Sequence, residues 1–184
     1  MNSQALADLE ILLNKDSEEI RKKQKEYINY VQEHVNNVRK AWFEVKLKCR
    51  TYLAYMCPMS DLKTIEYCIN THDQSKFSKE EFEPYRKNFY PINDQEKEEN
   101  KEAFDLAWQH HYTVNPHHWN HWAEIGRENE MPFTFVVEMV CDWQAMSYKF
   151  SGTAKEWYEK NKHTIILGKN QKIWVDKLLK ILCS

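Results

Sequence analysis

The sequence predicts an all-α protein with a single domain, on three observations. With 184 residues the chain can bury one hydrophobic core, and neither a repeat nor a linker-like stretch divides it. It contains only three glycines and five prolines, too few for the many turns of an all-β or Rossmann-type protein. Apolar residues recur at helical spacing over long stretches. We expect residues 1–184 to form one domain, with a core of about residues 17–160.

The N-terminal part of the sequence predicts a short helix followed by a long one. The short helix covers residues 3–13, and Asp16-Ser17 is an N-cap signal that should start the second helix. This second helix should continue to about Arg50, because apolar residues from Tyr27 to Val45 follow helical spacing. His34 lies on the same side of the helix and should therefore point inward.

Local signals delimit the helices in the middle of the chain. Pro58 to Asp61 ends one helix and caps the next, whose inner face leads to His72-Asp73. Ser78 to Glu81 has the form of a capping box and should open a helix that ends at Pro91. A further helix is expected from about Asp94 to His111.

The last third of the chain begins after a break at Pro116. Residues 133–150 contain no helix breaker and carry apolar residues on one side, so they should form a largely buried helix that includes Asp142. The pair Gly152-Thr153 should start a helix that runs through Tyr158. Apolar spacing over residues 173–182 predicts a closing C-terminal helix.

Composition argues against several classes of protein. A net charge of -2 does not suit a protein that grips long nucleic acid, although a small nucleotide is compatible with it. The five cysteines lack any CxxC spacing and indicate buried thiols in a reducing compartment. No run approaches the roughly 20 apolar residues that span a bilayer. We therefore expect a cytoplasmic protein that does not enter a membrane.

Histidines and aspartates form an ordered series that suggests a metal site. Imidazole together with carboxylate suits zinc, iron, manganese, nickel or cobalt. A lone histidine on an apolar helix face is usually only part of the core, but a buried carboxylate needs a cation or several donors. Asp142 could instead be paired with a lysine, an arginine or a helix N-terminus. The series is His34, His72-Asp73, His110-His111, His117-His118, His121 and Asp142.

This series resembles the H…HD…D pattern of the HD superfamily of metal-dependent phosphohydrolases. His34, His72-Asp73 and Asp142 match its order and spacing, and Lys76 is similar to the lysine that often follows the HD pair and approaches the substrate phosphate. The stretch from His72 to Ser78, with the later histidines and Glu138 to Trp143, resembles a little-characterised bacterial and phage family. The resemblance implies a single-domain HD-type helical bundle. No GYP follows His118, unlike in the branch specific for cyclic di-GMP.

The resemblance also implies roles for individual residues. Superfamily members with extra histidines between HD and the final aspartate hold two or more metals, so we expect two divalent transition metals here. Adjacent histidines on a helix point about 100° apart, so usually only one of each pair should face a metal. Expected metal ligands are His34, His72, Asp73, His111, His118 and Asp142. Asp73, as a bridge between metals, and Lys76 are the expected catalytic residues. Expected substrate contacts are Lys76, His110, Asn115, His117 and Arg86.

The expected activity is hydrolysis of a phosphoester in a nucleotide or cyclic nucleotide by a metal-activated water. Three alternatives stay open: a protein that sequesters a nucleotide without turnover, a di-iron oxygenase of the HD type, and a helical protein whose histidines only pack. The sequence also leaves open a homo-oligomer. Trp119, Trp122, Trp143 and Tyr148 are expected either to pack in the core or to stack a base.

Overall fold

The computed structural model describes the backbone of residues 3–183 and the side chains of residues 18–183. Within these residues there are ten α-helices, one short 3-10 helix at Gln74–Phe77, and no β-strand, so the predicted all-α class is confirmed. The helices are α1 Ser3–Lys48, α2 Arg50–Met56, α3 Met59–Thr71, α4 Phe82–Phe89, α5 Asp94–Glu99, α6 Lys101–Val114, α7 Trp119–Glu124, α8 Phe133–Ser147, α9 Ala154–Asn161 and α10 Lys169–Leu182.

Three predicted boundaries differ from the structure. The backbone of α1 is helical without interruption, so no break occurs at Asp16-Ser17, because both residue types are tolerated inside a helix. The predicted helix over residues 94–111 is divided at Asn100, whose Nδ2 donates a hydrogen bond to the Pro84 carbonyl at 2.7 Å. The helix expected from Ser78 begins later, at Phe82.

Most of the remaining boundaries agree with the predictions. Pro58 is the N-cap residue of α3, and α8 covers most of the expected buried helix. Thr153 caps α9 through a capping box with Glu156, and α10 is the closing helix. The starts of α3, α8 and α9 were predictable because each follows a proline or a capping side chain. α10 follows Gly168 without a side-chain cap and begins at Lys169, before the predicted residue 173.

The larger hydrophobic core surrounds α8, which packs against α1, α3 and α10. Its fully buried residues include Val38 and Val45 of α1, Ile65 of α3, Val140 of α8 and Leu178 of α10. Within residues 3–183 no helix combines the length and the apolar character that crossing a bilayer requires.

A smaller core lies where α1, α4 and α6 meet, and its buried residues are Tyr27, Val31, Tyr85 and Ala107. His34 lies on α1 between Val31 of this smaller core and Val38 of the larger one. The side chain of His34 is only 7% exposed. The junction of the two cores therefore holds a buried polar residue, as expected from the helical spacing.

Arg86 ties α4 to α5 and lies outside the cavity described below. Its guanidinium donates two hydrogen bonds of 2.8 Å to the two carboxylate oxygens of Glu96, and two more to Oε2 of Glu83. The residue is 1% exposed, and its donors are occupied by these carboxylates. The predicted substrate contact of Arg86 does not fit this position, because an ion pair inside the protein already uses the charge.

Replacing Arg86 by alanine should lower the free energy of unfolding by about 3 kcal/mol, because Glu96 would keep a largely buried carboxylate without its partner. Urea unfolding followed by circular dichroism measures the change. Lys79→Ala is the control, since the Lys79 side chain is 92% exposed. Equal stability of the two variants would contradict a structural role for Arg86.

Candidate metal centre

Asp73 occupies the centre of a buried cluster of histidines. It follows the C-terminus of α3 and adopts a left-handed backbone conformation with φ of 58°. Among the described residues it is the only non-glycine with a positive φ, a conformation that aspartate tolerates better than most residues. Its carboxylate is 2% exposed and lies within 3.7 Å of ring nitrogens of His34, His72, His111 and His117.

The first group of candidate ligands comes from α1, the end of α3, and α8. His34 Nε2 lies 3.0 Å from Asp142 Oδ1 and 3.6 Å from Asp73 Oδ2. His72 Nε2 lies 3.6 Å from Asp73 Oδ1 and 3.9 Å from Asp142 Oδ1. The structure therefore brings together His34, His72, Asp73 and Asp142, which are far apart in the sequence.

The second group faces the same carboxylate from α6 and from the loop before α7. His111 Nε2 lies 3.3 Å from Asp73 Oδ1, and His117 Nε2 lies 3.7 Å from it. Ligand atoms of Asp73, His111, His117 and His118 all lie within 4.8 Å of one another. His117 therefore belongs with the candidate ligands. It is 2% exposed and does not line the cavity described below, so its position differs from the substrate contact predicted from the sequence.

The expectation that one histidine of each adjacent pair faces the site holds for one pair only. His110 and His111 lie on α6, and only His111 approaches Asp73. His117 and His118 come before α7 begins, so the 100° rotation between neighbours in a helix does not apply to them. Both rings reach the cluster, with ring centroids 4.3 Å apart.

The donor set fits a divalent metal. Buried atoms without a hydrogen-bond partner include Nε2 of His72, His117 and His118 and Oδ1 of Asp73. Native proteins rarely leave several buried polar atoms of one cluster unpaired, and bound cations would supply the missing partners. Imidazole nitrogens and carboxylate oxygens are ligands for first-row transition metals. These buried residues can therefore hold a metal ion.

Two glutamates orient the imidazoles from behind. Glu138 Oε1 lies 2.9 Å from His72 Nδ1 and 3.3 Å from His117 Nδ1. Glu81 Oε2 lies 2.7 Å from His111 Nδ1, and its Oε1 lies 2.7 Å from Nδ1 of the neighbouring histidine, His110. A carboxylate that accepts from Nδ1 leaves Nε2 free to bind a metal and fixes the ring. His110 therefore contacts a supporting carboxylate and does not line the cavity.

Both glutamates were missed as functional residues in the sequence. Glu138 precedes Asp142 by four residues on the buried helix α8, so the two carboxylates share one helix face. That spacing was a usable signal. Glu81 carried no such signal, because its place after Ser78 suggested a capping box. In the structure its carboxylate binds histidines instead.

The electrostatics of the cluster favour ionised carboxylates. Burial would raise the pKa of Asp73, but His72, Lys76 and His111 hold it well below its usual value. Burial would also raise the pKa of Asp142, but the hydrogen bond with His34 lowers it below its usual value. Burial has the same effect at Glu138, where His117 and His72 lower the pKa to about 2.

Histidines in the cluster differ in their protonation. Burial and the nearby rings of His117 and His111 hold the pKa of His118 well below its usual value, so its imidazole is neutral and able to bind a metal. Burial also disfavours protonation of His72, but Asp73 and Glu138 raise its pKa to about 9. Metal binding at His72 must therefore displace a proton.

Lys76 and Asn115 occupy different positions relative to the site. Lys76 Nζ donates to Asp73 Oδ2 at 2.6 Å, and its side chain lines the cavity. Asn115 Nδ2 donates to Ser75 Oγ and to the His111 carbonyl, each at 2.7 Å. Asn115 thus braces the turn after Asp73 and does not line the cavity, contrary to its predicted substrate contact.

A cavity of about 830 Å³ opens onto the cluster. The cluster contributes six residues to its lining, namely His34, Asp73, Lys76, His111, His118 and Asp142. Ten aromatic residues contribute to the rest of the lining. A volume of this size suits a small-molecule ligand.

Residues 23–182 match a family of unknown function, DUF5662. The chain belongs to the DUF5662 family. The matched segment contains every residue of the cluster, from His34 to Asp142, together with both orienting glutamates. Searches of curated proteins and of solved structures found no match to this DUF5662 member.

Replacing Glu138 by glutamine should weaken metal binding about 10- to 100-fold, because the amide no longer provides the negative charge that orients His72 and His117. Competition with a chromophoric chelator measures the affinity. Glu130→Gln is the matched control, since Glu130 is 53% exposed and pairs with Arg127. A folded Glu138→Gln variant with unchanged affinity would show that the glutamate does not support the site.

The metal-free chain should lose stability between pH 6.5 and pH 9. The pKa of His72 is raised from 6.5 to about 9, so its protonated form stabilises the fold fully below pH 6.5, and this contribution disappears as the pH rises through 9. The pKa of His111 is raised as well, so it acts in the same direction. The loss should be on the order of 3 kcal/mol.

Unfolding in the presence of a chelator at the two pH values measures this loss. His72→Asn should reduce the difference, because asparagine does not titrate. If the stability of the parent chain stays constant or increases over this range, the raised pKa of His72 is contradicted.

Proposed function

We propose that this DUF5662 chain is a metal-dependent phosphohydrolase that cleaves a phosphoester in a nucleotide by means of an activated water. The observation that carries the proposal is the convergence of two ligand groups on Asp73, beside a lysine and at the wall of a cavity. The order of His34, His72-Asp73 and Asp142 along the chain, which resembles the HD superfamily, supports the same reaction class.

The two ligand groups support a site for two metals that share Asp73. His34, His72 and Asp142 would hold one metal, on the distances that join them to each other and to Asp73. His111, His117 and His118 would hold the other, and His117 also lies within reach of His72 and Asp142. Manganese, iron, nickel, cobalt and zinc all suit this mixture of imidazole and carboxylate. A bound divalent metal supplies a water of lowered pKa and stabilises negative charge on phosphoryl oxygens.

The protein itself contributes position and charge. Glu81 and Glu138 hold the histidine rings in place from behind, so few rearrangements are needed when a substrate binds. Burial would lower the pKa of Lys76, but Asp73 raises it, which keeps the ammonium group charged. Because Lys76 lines the cavity, it can place this charge against a phosphoryl oxygen as negative charge develops there.

Hydrolysis of nucleoside monophosphates and cyclic nucleotides by the protein loaded with each metal tests the proposal. Lys76→Met should lower kcat about 100-fold, because it removes the positive charge that stabilises the transition state. Its metal content should not change, since Lys76 is not a ligand. Lys79→Met is the matched control, being an exposed lysine three residues away.

Other outcomes would overturn the hydrolase proposal in favour of a named alternative. Nucleotide binding without turnover under every metal would indicate a protein that sequesters its ligand. Oxygen-dependent substrate cleavage by the iron-loaded protein, with no phosphoester hydrolysis, would indicate an oxygenase.

A further inference from the structure

Positive charge is confined to one part of the cavity. Apart from histidines, Lys76 is the only cationic side chain among the described residues that line it. Lys76 lies against Asp73, next to the candidate ligands, and the two other charged lining groups are the carboxylates of Asp73 and Asp142. One phosphoryl group can therefore be met by Lys76 and the metal site. A second or third phosphate would lie beside uncharged side chains, which is costly.

The uncharged part of the lining is largely aromatic. Phe89, Phe150 and Trp157 line the cavity and are nevertheless 52%, 58% and 46% exposed. Trp157 also lies against Trp143, another lining residue, with ring centroids 5.2 Å apart. Large aromatic side chains that remain half-exposed beside a cavity are available to stack on a planar ligand.

Neutral polar groups also contribute to the lining, beside two methionines, a glycine and two aliphatic residues. The polar residues are Asn120, Ser147, Ser151, Thr153, Asn161 and Thr164. Amides and hydroxyls of this kind recognise base edges and sugar hydroxyls by hydrogen bonds without adding charge. The volume of about 830 Å³ has room for a single nucleotide.

We infer that the substrate of this site carries one phosphoryl group, as a monoester or a cyclic diester, on an uncharged body with a planar aromatic ring. Nucleoside monophosphates belong to this class, whereas nucleoside triphosphates do not. The inference rests on the proposed function for the reaction itself. The preference between ligands follows separately from the distribution of charge and aromatic groups in the cavity.

Two measurements on the metal-loaded full chain test the inference. The first compares kcat/KM for nucleoside monophosphates with that for the matching triphosphates and for glycerol phosphate. Monophosphates should be preferred at least about tenfold over both, since triphosphates leave charge uncompensated and glycerol phosphate has no ring. Equal or faster turnover of triphosphates or of glycerol phosphate would overturn the inference while leaving the hydrolase proposal intact.

The second measurement is binding, followed by quenching of tryptophan fluorescence, with the same ligands. It remains informative if no phosphoester is hydrolysed, an outcome that would remove the proposed function. Tighter binding of nucleoside monophosphates than of triphosphates would still support the inferred ligand class. The reverse order would overturn it.

Two variants separate stacking from charge. Trp157→Ala should raise the Kd for a nucleoside monophosphate about tenfold, because stacking is lost. Phe43→Ala should leave this Kd unchanged, because Phe43 is an exposed aromatic residue outside the lining. Asn161→Lys adds a cation to the lining and should improve triphosphate binding relative to Gln109→Lys, a charge added to an exposed position outside it. An unchanged Kd for the first variant and an unchanged triphosphate preference for the second would overturn the inference.

Discussion

The buried carboxylate of Asp73 is the constraint around which the rest of the structure is arranged. Burying an ionised carboxylate is costly unless cations or several donors surround it. Imidazoles from α1, α3, α6 and the loop before α7 all reach this one group, and α8 adds Asp142. α3 ends before His72, whose ψ of 132° is extended, and Asp73 follows it in a left-handed conformation. A fold that fixes so many buried polar atoms in one place is well suited to hold metal.

The two hydrophobic cores explain how such a polar cluster is tolerated. The larger core around α8 and the smaller core between α1, α4 and α6 are each closed by apolar residues, and the cluster lies where they meet. Glu138 and Glu81 accept hydrogen bonds from the outer nitrogens of His72 and His111, so the Nδ1 atoms of these two rings are satisfied. The Nε2 atoms of His72 and His117, which have no hydrogen-bond partner, lie 3.6 and 3.7 Å from Asp73 Oδ1. The same arrangement leaves one wall open to an aromatic cavity.

Much of this could be predicted from the sequence, and the exceptions have physical reasons. The all-α class and the inward-facing His34 followed from helical spacing, which is a local property. Asp142 lies on the predicted helix but is partly exposed, with 16% of its side chain accessible at the cavity. His117 was not predicted as a ligand, because it lies in the loop before α7 and helical spacing does not predict where a loop residue points. Glu81 and Arg86 depended on partners far along the chain or on neighbouring helices. The sequence had suggested a helix cap for Glu81 and a substrate contact for Arg86. Local patterns therefore located most of the candidate ligands but not the residues that support them.

The most direct test of this account is the metal content of the untagged protein, measured by inductively coupled plasma mass spectrometry. About two transition metals per chain are expected for the parent, one for each group of ligands around Asp73. Folded His72→Ala and Asp142→Ala variants should both lose metal, because each removes a ligand from the first group. A parent chain that takes up no metal, even after reconstitution, would contradict the account and leave the cluster as a buried hydrogen-bonded network only.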